Sequence, residues 1–417
     1  MKQLIIEGGH ELSGTIPISG AKNSAVALIP AAILSDEVVT IENVPNISDI
    51  DALKEILEYL GATVERNQTL IKIDPMNIKN KEIPEEISKK LRASYYFMSS
   101  LLAKYKKVEM YFPGGCNIGS RPIDQTLKAF QALGATIIEE DNKYTITAEQ
   151  LVGNDIYLDM PSVGATINTI LVATKAKGKT KIYNAAKEPD VVSVATFLNN
   201  MGAKVTGAGT SQIEIVGVDF LRGCFTEVIP DRIEAGTYLI AGALVGKELT
   251  ITNVIPEHLE ALTNKLQDMG YQLDIGSDFI KIKSITNPKS VKIKTLGYPG
   301  FPTDLQQAMT TLLTQCNGLS IVEETIYENR FNNVKYLNKM GADINIEGRK
   351  IFINGPTKLR GATVEATDLR AGACMVLAGL TAPGTTTITS VEHILRGYEN
   401  IVSKLEHVGA KIRLEDI

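Results

Sequence analysis

Tryptophan is absent from this 417-residue sequence and aromatic residues make up only 6% of it, which removes the stacking platforms that single-stranded nucleic acid needs. Neither charge sign dominates. The 43 basic and 48 acidic residues leave a net charge of -5, unsuited to binding a phosphate backbone, so nucleic acid is not an expected partner. Cysteine is scarce: Cys116, Cys224, Cys316 and Cys374 stand at least 58 residues apart, which indicates neither a disulfide framework nor a zinc site. Long apolar runs are missing as well. The longest uncharged stretch, 371–391, is interrupted by Pro383 and Gly384, and no membrane span is expected. The apolar opening segment is broken by Glu7, His10 and Glu11 and cannot serve as a signal-peptide core; a cytoplasmic protein is the expectation. Glycine-rich dinucleotide loops, Walker loops and HExxH are absent too, which excludes the common nucleotide and metal motifs.

What the sequence does contain is a repeat. A helical apolar pattern, a glycine usually followed by alanine, and an alternating strand recur at Gly61, Gly134, Gly202, Gly270, Gly341 and Gly409, spaced 68 to 73 residues apart. Such a period marks a repeated supersecondary unit. Residues 52–60, 125–133 and 334–340 carry apolar side chains at i, i+3, i+4 spacing and read as amphipathic helices. The glycine after each fits the left-handed position that closes a helix. Half a period away lies a second, almost uncharged helix: 24–34, 95–102, 165–173, 235–245, 305–313 and 371–380. So few charges imply burial on nearly all sides. Six units divide into two lobes of three. The expected boundaries are 20–229 for the first lobe, and 1–19 with 230–417 for the second; the first strand, 3–7, pairs with the second lobe. Two crossings and an interlobe cleft would follow, and clefts are common ligand sites.

Polar residues interrupt the apolar order at the entries to the buried helices, at Lys22-Asn23-Ser24, Arg92-Ala93-Ser94, Ser162-Val163-Gly164, Asp231-Arg232, Thr303-Asp304 and Asp368-Leu369-Arg370. Two readings stand here. Ser24, Ser94, Asp231, Asp304 and Asp368 can cap helix starts, or the free N–H groups can favour an anion. Lys22, Arg92, Arg232 and Arg370 are not explained by capping, because the helix dipole disfavours cations there. Lys22 and Arg370, with Arg121, Arg330 and Arg396, form a set that can grip a small ligand carrying several negative charges. The loop Pro113-Gly114-Gly115-Cys116-Asn117-Ile118-Gly119-Ser120-Arg121-Pro122 places a thiol near a cation and a helix start, surroundings that lower a thiol pKa. An inert loop cysteine fits the same spacing. Cys224, Cys316 and Cys374 read as structural.

These residues resemble the UDP-N-acetylglucosamine 1-carboxyvinyltransferases of the enolpyruvyl transferase family, over essentially the whole chain. The matching motifs are Ser19 to Ser24, the Pro113 to Pro122 loop, Pro161 to Thr166, Asn184 to Pro189, Pro230 to Gly236, Glu328-Asn329-Arg330-Phe331, Ala366 to Ala371 and Arg396-Gly397-Tyr398-Glu399. The resemblance implies an inside-out α/β barrel of two similar lobes, each of three units of about 70 residues. It implies transfer of the enolpyruvyl group of phosphoenolpyruvate to the 3′-hydroxyl of UDP-N-acetylglucosamine with release of phosphate, the first committed step of peptidoglycan synthesis. By resemblance Cys116 is the proton donor and Asp304 the base. Lys22, Arg121 and Arg396 match phosphate-side cations, and Arg330 and Arg370 match groups holding the donor's enolpyruvyl and carboxylate part. Asn23, Arg92, Arg121, Pro122, Ile123, Asp124, Gln125, Ser162, Val163, Gly164, Asp304 and Ile326 match positions lining the nucleotide-sugar site. No cofactor and no metal are implied.

Two departures from the family pattern fall on the nucleotide-sugar side. Thr126 stands where the family usually has His, and Met160 where some relatives carry Lys. The sequence leaves room for a weakly active or regulatory paralogue, for a 3-phosphoshikimate enolpyruvyl transferase, which the cysteine loop disfavours, and for a non-catalytic repeat scaffold.

Overall fold

The structure is a computed structural model and describes residues 2–113 and 123–416. The described residues divide into two compact units, one formed by 20–113 and 123–229 and the other by the opening residues to Ser19 together with Pro230 onward. Each has its own apolar core.

One module recurs in both. In its clearest copy, strand Lys292–Lys294 leads into helix Thr303–Leu313, which returns the chain to the parallel strand Gly318–Glu323. Helix Val334–Lys339 and a hairpin of Asp343–Glu347 and Lys350–Gly355 follow, and the second hairpin strand pairs antiparallel with Gly318–Glu323. A parallel pair needs a crossover of at least a dozen residues, and the helix supplies it. Among the described residues, five four-stranded sheets share this parallel, antiparallel, antiparallel order. The sixth has three strands, and a parallel bridge from Ile83 to Met110 stands where the fourth would be.

The helices that lead into the central strand pair of each sheet are α1 (Lys22–Ala31), α2 (Tyr96–Tyr105), α3 (Val163–Ala173), α4 (Arg232–Val245), α5 (Thr303–Leu313) and α6 (Leu369–Thr381). In the second unit α4, α5 and α6 pack on one another; in the first, α2 packs on both α1 and α3. Helices inside and sheets outside give the inside-out α/β arrangement, and it is why these helices carry so few charges: α6 buries every residue from Arg370 to Leu380. The amphipathic helices lie outside them, and the six repeat glycines that follow take φ between 101° and 109°, a region that disfavours any side chain with a Cβ.

The chain's opening completes the second unit. Strand Lys2–Gly8 lies between Gly384–Thr389 and Lys411–Asp416, antiparallel to both, and Leu12–Pro17 pairs parallel with Gly246–Thr252. The first strand therefore fills the inner hairpin position of the last module.

Candidate functional site

In the second unit, polar chemistry gathers at the heads of α4, α5 and α6. Asp368 caps α6, its Oδ1 accepting from the Arg370 and Ala371 N–H groups, and Asp231 caps α4 through the N–H groups of Ile233 and Glu234. Asp304 does not cap. Pro302 occupies the N-cap of α5, so Asp304 falls inside the first turn, where a carboxylate still gains from the helix dipole. Its Oδ1 accepts from Arg330 Nη2 at 2.7 Å and its Oδ2 from Arg370 Nη2 at 3.3 Å. Both arginine side chains are only 4–5% exposed, against 24% for Asp304. Burial pushes the Asp304 carboxyl up, but Arg370 and Arg330 outweigh it and hold the carboxyl well below the usual range. Each arginine has a second anchor. Arg330 Nη1 donates to Thr303 Oγ1 at 2.9 Å, and Arg370 Nη1 donates to the Tyr398 hydroxyl at 3.1 Å, which also bonds Thr237 Oγ1 at 2.9 Å. Arg396 follows the short helix Glu392–Leu395, half-buried, two residues before Tyr398.

In the first unit the candidates again stand at helix entries. Lys22 opens α1 and pairs with Asp49 Oδ2 at 2.7 Å; Asp49 is buried in the first turn of helix Ser48–Leu60. Asn23 is half-buried beside it. Arg92 places its guanidinium over the rings of Phe112 and Tyr95, 5.2 and 5.7 Å from their centroids, and donates to the Pro113 carbonyl at 3.4 Å. It thus grips the chain just before the cysteine loop. Ser162 caps α3 by accepting the Ala165 N–H at 3.2 Å, so Val163 and Gly164 form the first turn. Gly164 lies so close to Tyr95 that an added Cβ would sit 1.7 Å from its hydroxyl oxygen. Ile123 is buried, Asp124 exposed, and Gln125 accepts the Met160 N–H at 3.3 Å. Thr126 is buried and Met160 is 55% exposed. Cys116, Arg121 and Pro122 lie outside the described residues.

The capping expectation needs correction at three positions. The Ser24 hydroxyl donates to Asp190 Oδ1 at 2.7 Å, Ser94 donates to the Ser88 carbonyl at 2.9 Å, and Asp304 takes the two arginines. A capping side chain must lie just before the first turn, and all three lie within one. The remaining described cysteines are buried or half-buried, and burial raises the Cys224 thiol to about 11 and those of Cys316 and Cys374 to about 12. Residues that sequence reasoning assigned no role complete each group: Asp49 and Tyr95 in the first unit, and Thr303, Glu324 and Tyr398 in the second. Glu324 was legible in principle. Strand alternation puts it on the same inner face as Ser320 and Val322, and all three are buried.

Mixed α/β modules wound with their helices inward, with an arginine-bound carboxylate at the helix heads, define the enolpyruvyl transferase fold. The enolpyruvyl transferase NikO from Streptomyces tendae superposes with a TM-score of 0.91 at 27% identity, covering 99% of this chain and 98% of that one. The EPSP synthase of Acinetobacter baumannii shares the fold at a TM-score of 0.76 and 19% identity, over the full length of both chains. Residues 6–405 match the family described as EPSP synthase (3-phosphoshikimate 1-carboxyvinyltransferase). The chain belongs to this family. Among its relatives, UDP-N-acetylglucosamine 1-carboxyvinyltransferase 2 of Bacillus subtilis (strain 168) is 53% identical, covering 99% of this chain and 96% of that protein. The protein of the same name from Listeria monocytogenes serovar 1/2a (strain ATCC BAA-679 / EGD-e) is also 53% identical, over 98% and 97%.

Proposed function

We propose that the protein transfers the enolpyruvyl group of phosphoenolpyruvate to the 3′-hydroxyl of UDP-N-acetylglucosamine and releases phosphate, the entry step of peptidoglycan synthesis. The observation that carries this reading is the Asp304 carboxylate held between two buried arginines, Arg330 and Arg370. Full-length relatives named for that reaction support the choice of acceptor. The same reading gives the protein a cytoplasmic location and a part in cell shape and division.

The chemistry is addition followed by elimination. Asp304 takes the proton of the sugar hydroxyl as its oxygen attacks C2 of the donor, and Cys116 protonates C3. A C3 proton then returns to the Cys116 sulfur as phosphate leaves, which restores the double bond, and the proton taken up by Asp304 departs with the phosphate. Lys22, Arg121 and Arg396 meet the donor's phosphate, and Arg330 and Arg370 its carboxylate. Asn23, Arg92, the 121–125 stretch, Ser162 to Gly164 and Ile326 line the nucleotide sugar. A carboxylate tied to two arginines is a weak base. A doubly anionic donor competes for those arginines, and each bond it takes from Asp304 raises the proton affinity of that carboxylate toward the ordinary carboxylate range.

Phosphate release from phosphoenolpyruvate tests the reading. It should depend on UDP-N-acetylglucosamine, and Cys116→Ala and Asp304→Ala should each lower turnover by about 10²–10⁴-fold with the circular dichroism spectrum unchanged. Full activity in either variant removes that residue's role, and equal turnover with shikimate 3-phosphate removes the assigned acceptor.

A further inference from the structure

Asp304 is held by Arg330, but Arg330 is itself held, and the chain of bonds ends on a carboxylate with no place in the reaction. Glu324 follows strand Gly318–Glu323 and is 1% exposed. Its Oε2 accepts the Thr303 hydroxyl at 2.8 Å, and the same hydroxyl oxygen accepts Arg330 Nη1 at 2.9 Å. Its Oε1 accepts the Thr295 hydroxyl at 2.9 Å and the backbone N–H groups of Ile326 and Tyr327 at 2.8 and 3.3 Å. An ionised carboxylate only accepts, so the Thr303 proton must point to Glu324, which leaves the hydroxyl lone pair facing Arg330. The guanidinium of Arg330 can only donate, to Thr303 and to Asp304, so what Glu324 supplies is the acceptor that holds the Thr303 hydroxyl in place under Arg330; it also orders the turn bearing Ile326.

We propose that Glu324 is a positioning residue for the transfer reaction, setting through the Thr303 hydroxyl the orientation of Arg330 and hence of Asp304. The inference rests on the role of Asp304 given above. Glu324→Gln can keep its carbonyl oxygen on Ile326 and Tyr327 but turns an amide N–H toward Thr303, which reverses the bond there. Thr303→Val keeps the shape and removes the hydroxyl.

The test compares Glu324→Gln, Thr303→Val, Thr303→Ser, the double variant Glu324→Gln/Thr303→Val and Asp304→Asn in the phosphate-release assay, with circular dichroism on each. Glu324→Gln and Thr303→Val should each lower kcat by about ten- to a hundredfold, with the KM for UDP-N-acetylglucosamine within about twofold of its starting value. Thr303→Ser should recover most of the loss, and the double variant should lose no more than the worse single one, since both act through one bond. Wild-type turnover in Thr303→Val, or losses that multiply in the double variant, would overturn the proposal. If Glu324→Gln does not fold, the contrast between valine and serine at 303 decides alone. Asp304→Asn separates the two readings: retained turnover there refutes the base and this proposal together, whereas its loss beside an active Thr303→Val refutes only the positioning.

Discussion

Single contacts set the limits of the candidate site. Gly164 is the sharpest case, because the Tyr95 hydroxyl occupies the space that any Cβ there would need, 1.7 Å away, with the ring carbon bearing it at 2.9 Å. Neither atom is the end of a floppy chain. Tyr95 packs on Tyr96 at 4.6 Å between centroids and under the guanidinium of Arg92. Gly164→Ala must therefore push α3 or the Arg92–Tyr95 turn aside, at about 1–3 kcal/mol for overpacking. A urea melt should show that loss, and calorimetric titration should show weaker binding of UDP-N-acetylglucosamine. Tyr95→Phe in the same chain should return part of the stability, since it removes the nearer of the two clashing atoms. No such recovery would mean that the glycine is needed for another reason.

At the level of elements, the modules depend on strands from distant parts of the chain. Ile6 sits fully buried in strand Lys2–Gly8, the strand that joins Gly384–Thr389 to Lys411–Asp416, and its Cδ1 packs within 3.1 Å of the Cβ position at Gly379 on α6. Ile6→Ala opens a cavity between sheet and helix, with an expected cost of about 2–5 kcal/mol read by denaturant unfolding; a loss below about 1 kcal/mol would show that α6 closes over the gap. Much of this architecture was legible beforehand. The six glycines, the nearly uncharged α1 to α6 and the pairing of Gln3 to Glu7 with strands of the second unit follow from the repeat period and the scarcity of charge. The site was legible less evenly. Asp304, Arg330 and Arg370 meet as a cluster, but the sequence could not show that Asp304 lies inside the turn, because helix-start residues look alike one or two positions apart. Nor could it reveal that Lys22 faces Asp49, or that Arg92 lies over Phe112 and Tyr95, since these pairs form only when separate elements pack.

At the scale of the whole molecule, the chain passes from one unit to the other twice among the described residues, at Ser19–Gly20 and at Ile229–Pro230. Within the first unit the Ala21 N–H donates to the Ile229 carbonyl at 2.7 Å, and within the second the Asp231 N–H donates to the Ser19 carbonyl at 2.9 Å. In the second unit a buried Glu234–Lys404 pair holds Ser19. Glu234 Oε2 accepts the Ser19 N–H at 2.8 Å, its Oε1 accepts Lys404 Nζ, and Lys404 also donates to Ser19 Oγ at 2.7 Å. Burial raises the Glu234 carboxyl from its ordinary 4.5 to about 7, against the pull of Lys404 and with a smaller push from Asp231. Between those values the folded protein keeps a proton that the unfolded chain has released, so this residue's contribution to stability falls as pH rises through the window and is constant above about 7. Glu234→Gln removes the titration. The melting temperature of the parent chain minus that of the variant should therefore decline from pH 5 to pH 7 and then level off, in thermal melts at fixed ionic strength. A difference that grows with pH would mean that Lys404 outweighs burial and that the pair is ionised throughout, holding Ser19 by charge rather than by a shared proton.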